Sequence, residues 1–463
     1  MTTTTTSAGP LWYYWDRPRL GWRQHDAPFG DGLSFTGLPA GRTIRARNRN
    51  SHPATLDGHV LEPGAWTELP AGALATRGAE HNLQLDLSAI SDDLPTRTPD
   101  GRPLIDWWGA IDAVRGYGRQ STDMWHGLRD LGVEARLHPS QYQHSVQYQA
   151  ECQYVDQFVI EQARHTAPPT RIAVAMTPPF DPVLYENPSP IKIAITQHDT
   201  DTVPACFAER VNRCTHLIVT SSFQRETWTR AGVTVPISVL VSGVDTDVFT
   251  PVDRQPADVF KVLILGALTP RKNVESAIRI FQAASEGDPS WQLTIHNRGK
   301  LEHAIKAAAA GDQRISIRRA DDSPTDVADL YRSHDCFLWP SKAEGVGLPP
   351  MEAMASGMEL VCASNSGMLD YLDDEWAWPI RCSETVPADA PGEEFVADFV
   401  ANYGPAGNYW LVDEQDGIRQ LRAARTAWRD GNGKGAKAAE YVRTQHDVRA
   451  QARSILSVVE QYL

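Results

Sequence analysis

Length, composition and charge set the first limits on this protein. The chain has 463 residues, of which 22% are charged, 41% hydrophobic and 8% aromatic, so it predicts a folded protein of two to four domains. These values exclude a fibrous or intrinsically disordered chain. The formal net charge of −14 disfavours a large nucleic-acid footprint, although a local basic patch is compatible with that average.

Hydropathy and the N-terminal string predict a protein without a membrane span or a signal peptide, and the cysteines predict one without a disulfide framework. No run reaches the ~18 consecutive apolar residues that a transmembrane helix needs. The N-terminal string MTTTTTSAGP lacks the charged and then apolar layout of a signal peptide, so we expect a cytoplasmic location. The six cysteines contain no C-x-x-C pair, which argues against a disulfide framework and against a zinc cluster.

The first hundred residues predict an accessory region. Residues 1–30 form an arm rich in proline, glycine and aromatic residues, whose rings are suited to stacking on a sugar or to packing on the protein itself. Residues 31–95 consist of short alternating runs separated by turns, which predicts a small all-β module. Three arginines would share one strand face, either as a solvated edge or as an anion site: Arg45, Arg47 and Arg49.

Beyond a linker at residues 91–103, apolar runs alternate with segments of helical periodicity. Five runs predict the strands of a first sheet: Leu104–Ile111, Arg171–Met176, Ile191–Thr196, Leu217–Thr220 and Ile237–Val241. Five more predict a second sheet: Val259–Leu265, Gln292–His296, Ile315–Arg318, Cys336–Trp339 and Leu360–Ala363. This α/β pattern predicts two doubly wound parallel-sheet domains, residues 104–250 and 256–437, followed by one long amphipathic helix over residues 438–463.

A glycine pair lies between a predicted strand and a predicted helix. In the string from Gly116 to Ser121, Gly118 is placed to let the backbone approach an anionic ligand. A dinucleotide loop would have a third glycine where Ser121 stands, so the signal is weak. A packing turn or a loop at the mouth of an interdomain cleft explains it equally well.

Acidic triplets and a histidine follow strands of the first predicted domain. Asp199-Thr200-Asp201 and Asp245-Thr246-Asp247 have the form of D-x-D metal sites, but such triplets also arise as ordinary turns. His198 follows the strand ending at Thr196, at the sheet edge where α/β proteins bind ligands. A buried structural histidine is the alternative interpretation of His198.

The densest group of functional signals lies in the second domain. After the strand that ends at Trp339, Glu344 opens a glycine turn, and Pro349-Pro350 starts a helix that carries Glu352. The free N–H groups of that helix start form a site for a diphosphate, and the two carboxylates can accept hydrogen bonds from sugar hydroxyls. Upstream, Arg271 and Lys272 follow another strand, where their charges would neutralise a diphosphate.

Together these strings resemble the retaining GT-B glycosyltransferases of the large family-four class, the glycosyl transferases group 1. The match covers roughly residues 104–463, and its most specific part is the E-x₇-E segment from Glu344 to Glu352. Three further segments support it: Gly266 to Asn273, Ser242 to Pro251, and Ser364 to Gly367.

The resemblance implies a UDP- or GDP-sugar donor held mainly by the C-terminal domain and an acceptor held mainly by the N-terminal domain. By that analogy Glu352 binds the ribose hydroxyls, and Glu344 binds the transferred sugar. Lys272 with Arg271 holds the diphosphate, and His198 lies near the reacting carbon. The remaining residues expected at the donor are Gly118, Gly266, Gly345, Val346, Gly347 and Leu348.

The sequence departs from the family pattern at three places. Ala267 stands where a basic residue often follows the glycine of the Gly266 segment, and Asp370 stands where a glutamate is usual. Gly357-Met358 replaces the usual Gly-x-Pro approach to the next strand. Residues 1–95 have no counterpart in the family.

The function predicted is the transfer of a hexose-like sugar from a nucleoside diphosphate to an acceptor, with retention of configuration and without a metal or cofactor. The added N-terminal module favours a protein or polysaccharide acceptor. Three alternatives remain open. The first is a nucleotide-sugar epimerase or hydrolase on the same scaffold, and the second is a non-catalytic sugar-binding or structural protein. The third is a dinucleotide oxidoreductase, which would rest on Gly116 and Gly118 alone.

Overall fold

The architecture follows from a computed structural model of the chain. The residues that it describes are 32–33, 41–48, 51–56, 58–71, 73, 83–110, 116–139, 166–167, 169–297, 302–318, 324–390 and 397–463. The predicted arm at residues 1–30 and Arg49 lie outside the described residues. No helix among the described residues is long and apolar enough to cross a membrane.

The N-terminal region contains short β-strands, as predicted. The strands are β1 (Gly32–Leu33), β2 (Thr43–Asn48), β3 (Ala54–Leu56), β4 (His59–Leu61), β5 (Trp66–Pro70) and β6 (Leu83–Asp86). Strand β2 pairs antiparallel with β5 and β6, and β3 pairs with β4. Ile44 and Ala46 of β2 are buried, whereas Arg45 is exposed, stacks on Trp66 at 5.1 Å and pairs with Asp86 at 3.7 Å. The alternation of β2 is therefore that of a sheet with one covered and one solvated face.

The first large sheet has six parallel strands in the order β13-β12-β11-β10-β7-β8. Its elements in chain order are β7 (Leu104–Gly109), α1 (Gly116–Asp130), β8 (Glu134–Pro139), β10 (Ile172–Met176), α2 (Val183–Glu186), β11 (Ile191–Ile195), α3 (Ala205–Val211), β12 (His216–Val219), α4 (Ser222–Arg230) and β13 (Ile237–Val239). A short strand β9 (Thr166–Ala167) pairs with β1. Strands β7 and β10 are buried along their whole length, because helices or the β module cover both faces.

The second large sheet also has six parallel strands, in the order β16-β15-β14-β17-β18-β19. Its elements are β14 (Phe260–Gly266), α5 (Val274–Ser285), β15 (Trp291–Asn297), α6 (Glu302–Ala309), β16 (Ile315–Arg318), α7 (Pro324–Arg332), β17 (Cys336–Trp339), α8 (Leu348–Ala355), β18 (Glu359–Ala363), β19 (Trp378–Ile380) and α10 (Glu414–Arg429). The strand order reverses between β14 and β17. That reversal is the place where sheets of this kind bind their ligands.

All ten strands that the sequence predicts are present, with ends within two residues of the prediction. Among the described residues, the strands that were not predicted after residue 103 are β8, β9, β19, and the hairpin of β20 (Cys382–Pro387) and β21 (Asn408–Val412). Between the hairpin strands lies α9 (Ala397–Tyr403), and Tyr403 packs on Phe207 of the first domain with ring centroids 5.0 Å apart. The hairpin thus connects the C-terminal domain to the N-terminal one.

The single helix predicted over residues 438–463 is wrong. The chain forms α11 (Gly435–Gln445) and α12 (Val448–Val459), separated at His446 and Asp447. The Asp447 side chain accepts a hydrogen bond from the Arg449 backbone and so caps α12, which is a local stop-and-start signal that apolar periodicity does not register. Helix α12 then packs against α1, so the end of the chain returns to the N-terminal domain.

Candidate functional site

Two loops meet at the point where the strand order of the second sheet reverses. One follows β14 and carries Arg271 and Lys272, and the other follows β17 and carries Glu344. Because β14 and β17 are hydrogen-bonded neighbours with parallel direction, their carboxyl ends lie at the same edge. The structure therefore brings together residues that lie more than seventy positions apart in the sequence.

Glu344 is the centre of a buried ion cluster. Its carboxylate accepts hydrogen bonds from Nζ of Lys272 at 2.6 and 2.8 Å and from the guanidinium of Arg271 at 3.0 Å. The indole of Trp339 and the hydroxyl of Ser341 donate two more, at 3.1 and 2.8 Å. Every donor around this carboxylate thus holds it in one orientation and in the ionised state.

The charges of the cluster shift its proton affinities. Burial alone would raise the pKa of Glu344, but the charges of Lys272 and Arg271 and the hydrogen bonds outweigh burial and lower the pKa to about 2. Burial lowers the pKa of Lys272, the charge of Arg271 lowers it further, and Glu344 opposes both effects. At neutral pH the Glu344 carboxylate is therefore ionised, and its negative charge compensates the positive charges of Lys272 and Arg271.

The glycine turn after Glu344 is packed tightly and its residues 345–347 are buried. Gly347 precedes α8 with φ of +85°, a conformation that favours glycine. Leu348 begins the helix and is followed by two prolines, so the helix starts where the sequence predicts. A Cβ atom at Gly367 would lie 2.0 Å from the carbonyl oxygen of Gly345, so the segment that ends in Gly367 supports the turn. The same oxygen accepts a hydrogen bond from Nε2 of Gln224, in the N-terminal domain, at 3.0 Å.

Glu352, the second glutamate of the E-x₇-E segment, is also buried but has different partners. The hydroxyl of Tyr331 donates a hydrogen bond to its Oε2 at 2.9 Å. Its Oε1 forms an ion pair with the guanidinium of Arg119, on α1 of the N-terminal domain. Glu344 and Glu352 therefore belong to two separate polar clusters, both lying between the domains. The sequence analysis singled out the string from Gly116 to Ser121 for its glycines and missed Arg119 within it.

The loop of His198 reaches the same region, but its imidazole is turned into its own loop. Nε2 of His198 lies 2.9 Å from the carbonyl oxygen of Thr202 and 2.8 Å from the hydroxyl of Thr200. Burial lowers the pKa of His198, although Asp199 and its backbone partners oppose that effect. The imidazole is therefore neutral at neutral pH. The next residue, Asp199, pairs with Arg271 across the cleft at 3.3 Å, so the loop does contact the ion cluster.

The two D-x-D triplets are engaged in structural contacts. Asp201 accepts hydrogen bonds from the backbone and side chain of Asn408 at 2.8 and 3.0 Å. Asp245 accepts from the backbone of Asp247 at 2.9 Å, and Asp247 pairs with Arg449 at 2.5 Å. In the part of the chain that the structure describes, no three His, Cys, Asp or Glu side chains are grouped to hold a metal ion.

The string from Gly116 to Ser121 lies in the described start of α1 and not in a loop, so it gives no support to the hypothesis of a dinucleotide loop. Gly118 lies within the helix, and its carbonyl oxygen accepts a hydrogen bond from Thr122 at 2.9 Å. Gly266 ends β14, and a Cβ there would lie 3.3 Å from the ring of Trp339, which also packs on Lys272. Ala267 is exposed and carries no charge, whereas Arg271 and Lys272 supply positive charge at this edge of the sheet.

Two parallel-sheet domains that meet at a buried polar cleft define the GT-B class, and the solved structures confirm this fold. The structure of Anabaena Alr3699/HepE, in complex with UDP and glucose, aligns over 77% of this chain and 99% of its own, with a TM-score of 0.54 and 13% identity. Sucrose-phosphate synthase from Thermosynechococcus elongatus aligns over 78% and 99%, with a TM-score of 0.53 and 16% identity.

Sequence comparison adds a family match over part of the chain. Residues 218–439 match the model described as "Family 4 Glycosyltransferase in conflict systems". The lipopolysaccharide core biosynthesis mannosyltransferase LpsB of Rhizobium meliloti is 27% identical over 152 residues, 29% of this chain and 42% of the relative. The D-inositol 3-phosphate glycosyltransferase of Mycobacterium bovis is 30% identical over 146 residues, 28% of this chain and 30% of the relative.

The chain thus spans less than half the length of the curated relatives that it matches. The matched segment contains the E-x₇-E residues, Arg271 and Lys272, whereas Arg119 and His198 lie before it. The resemblance to family-four glycosyltransferases is confirmed by sequence over residues 218–439, and the GT-B fold is confirmed over most of the chain.

Proposed function

We propose that this protein transfers a sugar from a nucleoside diphosphate sugar to an acceptor, with retention of configuration. The observation that carries the proposal is the buried cluster of Glu344, Lys272 and Arg271 at the strand-order reversal of the C-terminal sheet. Buried cations at this edge are what a departing diphosphate requires, because charge develops on its oxygens as the bond to the sugar breaks. A structural ion cluster alone would not need the adjacent glycine turn and helix start.

The donor would lie along the loops of the C-terminal domain. The backbone N–H groups of Gly345, Val346, Gly347 and Leu348 lie just ahead of the two prolines of α8, at the positive end of that helix, and are suited to the phosphate oxygens. Lys272 and Arg271 would share their hydrogen bonds between Glu344 and the diphosphate, since each guanidinium or ammonium has several donors. Glu352 would accept hydrogen bonds from the ribose hydroxyls.

Glu344 would contact the transferred sugar from the carboxylate that its cations hold in place. Its ionised state follows from a pKa of about 2, so it would act as a hydrogen-bond acceptor and stabilise positive charge on the sugar, and it would not donate a proton at neutral pH. The leaving phosphate would then help to deprotonate the acceptor hydroxyl. These roles need positioning and charge more than a nucleophilic side chain.

The acceptor would enter from the N-terminal side, past the loop of His198 and Asp199. Asp199 contacts Arg271, so this loop adjoins the diphosphate position that we propose. His198 is neutral and held by Thr200 and Thr202, so it would supply a polar edge to the reacting carbon only if this loop shifts. We propose a protein or a polysaccharide as acceptor, because the module at residues 31–95 adds surface beyond the two catalytic domains.

The reaction should not depend on a divalent metal ion. The charge that a metal would supply to the diphosphate is available from Lys272 and Arg271, and the four D-x-D carboxylates already have protein partners. Addition of EDTA should leave the transfer rate almost unchanged. A rate that EDTA abolishes and Mn²⁺ restores would contradict this part of the proposal.

Two measurements test the proposed function. Thermal unfolding in the presence of UDP, GDP and their sugars identifies the donor, since a ligand at about 100 times its Kd adds about 2.7 kcal/mol of stability. NMR of the glycosylated product then reports the anomeric configuration. Donor breakdown to free sugar in the presence of every acceptor tested would favour a hydrolase, and an isomerised nucleotide sugar would favour an epimerase. No stabilisation by any nucleotide sugar would reject the proposal.

A further inference from the structure

We infer that Arg119 of the N-terminal domain is a positioning residue that orients Glu352 for the ribose of the donor. This inference rests on the proposed function and adds a residue that the E-x₇-E segment does not contain. It also places part of nucleotide recognition on the domain opposite the one that carries the donor loops.

The geometry around Glu352 carries the inference. Tyr331 donates to Oε2 from one side, and the Arg119 guanidinium contacts Oε1 from the other domain. The Glu352 side chain is 2% exposed and that of Arg119 is 16% exposed, so water does little to screen the pair. The two contacts together fix the plane of the carboxylate.

Arg119 is itself held in place by its surroundings. Its guanidinium stacks on the ring of Phe249 at 5.5 Å, and Phe249 packs against Tyr331 with ring centroids 5.8 Å apart. Asp123 lies one turn further along α1, and burial raises its pKa to about 6, although the charge of Arg119 lowers it. A cation fixed between these groups is a built feature of the interdomain surface and not a flexible surface side chain.

The chemistry of ribose recognition explains why such a cation is useful. A carboxylate binds two vicinal hydroxyls well only when it is ionised, because the ionised form accepts with both oxygens. A buried glutamate without a cation would favour its protonated form. Each carboxylate oxygen has two lone pairs, so Glu352 can accept from ribose hydroxyls while Arg119 and Tyr331 keep their contacts with it.

The pair also couples the two domains. Arg119 stands on α1, whereas Glu352 stands on α8, so the carboxylate has its cation only when the domains face each other as they do here. We therefore expect a protein without Arg119 to distinguish less well between nucleotides with and without a ribose hydroxyl, even though Arg119 belongs to the other domain.

The experiment measures binding of UDP, 2′-deoxy-UDP, GDP and 2′-deoxy-GDP by calorimetry to the full chain. The wild type should bind the ribose form at least about tenfold more tightly than the deoxy form, because a hydrogen bond to a charged group contributes about that much to affinity. Arg119→Ala and Arg119→Gln should lose most of that preference, as should Glu352→Gln, whereas Arg119→Lys should keep much of it. Arg129→Ala, on the same helix but paired with Glu134 at 3.8 Å, is the matched control and should bind like the wild type.

The outcomes separate this inference from the proposed function. A wild type that binds none of the four nucleotides would reject the proposed function. A wild type that prefers the ribose forms, with Arg119 variants that prefer them equally, would reject the positioning role and leave the function intact. Tighter nucleotide binding by Arg119→Ala would also reject it, because Arg119 would then compete with ribose for Glu352. If Arg119→Ala fails to fold, the Gln and Lys variants decide. The double variant Arg119→Ala with Glu352→Gln should bind the nucleotides no more weakly than Glu352→Gln alone.

Discussion

Oδ2 of Asp370 in the C-terminal domain lies 2.7 Å from the backbone nitrogen of Ser222, the first residue of α4 in the N-terminal domain. Asp370 stands where the family usually has a glutamate. Its carboxylate lies at the N-terminus of α4, which is the positive end of a helix in the opposite domain. This contact is one of several that hold the two domains together beside the glycine turn.

Asp370→Ala should weaken nucleotide binding by loosening the contact between the domains. Loss of a carboxylate at a helix N-terminus costs about 1 kcal/mol, so we expect the Kd for UDP or GDP to rise about fivefold. Calorimetry on the full chain measures this change. Asp374→Ala, an exposed aspartate four residues further on, is the control and should bind like the wild type. An unchanged Kd for Asp370→Ala would show that the contact does not influence the donor site.

Lys272→Ala should lower kcat/KM at least a hundredfold. The ammonium of Lys272 is buried beside Glu344, and its loss removes about 3 kcal/mol of stabilisation of the departing diphosphate. Initial rates at several donor concentrations measure the effect. Lys261→Ala removes an exposed lysine from β14, the strand that precedes the loop of Lys272, and should leave the rate unchanged. Near-normal kcat/KM in Lys272→Ala would remove this lysine from the catalytic machinery.

Glu344 should make the folded protein lose stability in acid. Its folded pKa of about 2 lies below the ordinary 4.5, so its contribution to the free energy of unfolding is present above pH 4.5 and disappears as the pH falls towards 2. Glu344→Gln lacks this contribution and leaves Lys272 and Arg271 without their carboxylate. Urea unfolding of both proteins should therefore show a stability gap that is largest near neutral pH and narrows below pH 4.5. A gap that is constant with pH would contradict the lowered pKa.

Removal of residues 1–95 should destabilise the N-terminal domain. The inward side chains of the β module, among them Leu69, Leu85 and Ile90, share one core with Trp108 and Ala173 of the first large sheet. Removal of the module would expose core side chains of the first large sheet such as Trp108, and each large apolar side chain that becomes exposed lowers the free energy of unfolding by about 1.5–3 kcal/mol. We expect insoluble protein or a much lower melting temperature.

The opposite outcome for this truncation would assign the module to acceptor recruitment. In that case the shortened chain would remain soluble, would bind and hydrolyse the donor normally, and would lose only transfer to the acceptor. The packing favours the structural role for the described residues of this module.

The strands and the donor-side motif could be predicted from the sequence because their signals are local. A buried parallel strand requires a short, nearly continuous apolar run, and β10, β14 and β17 have such runs. The turn at Gly347 and the two prolines behind it fix the start of α8 through backbone geometry alone. The order of these elements then predicts two Rossmann-like domains.

Other features were decided only by the tertiary structure, because their physical causes lie far apart in the chain. The glycine string at the described start of α1 has the pattern of a loop but is helical, and α1 packs against α12, which follows more than three hundred residues later in the chain. Arg119 has no motif of its own, and its significance comes from the carboxylate that the other domain brings to it. A charge on a helix surface is ordinary in water, and only burial opposite Glu352 makes it specific.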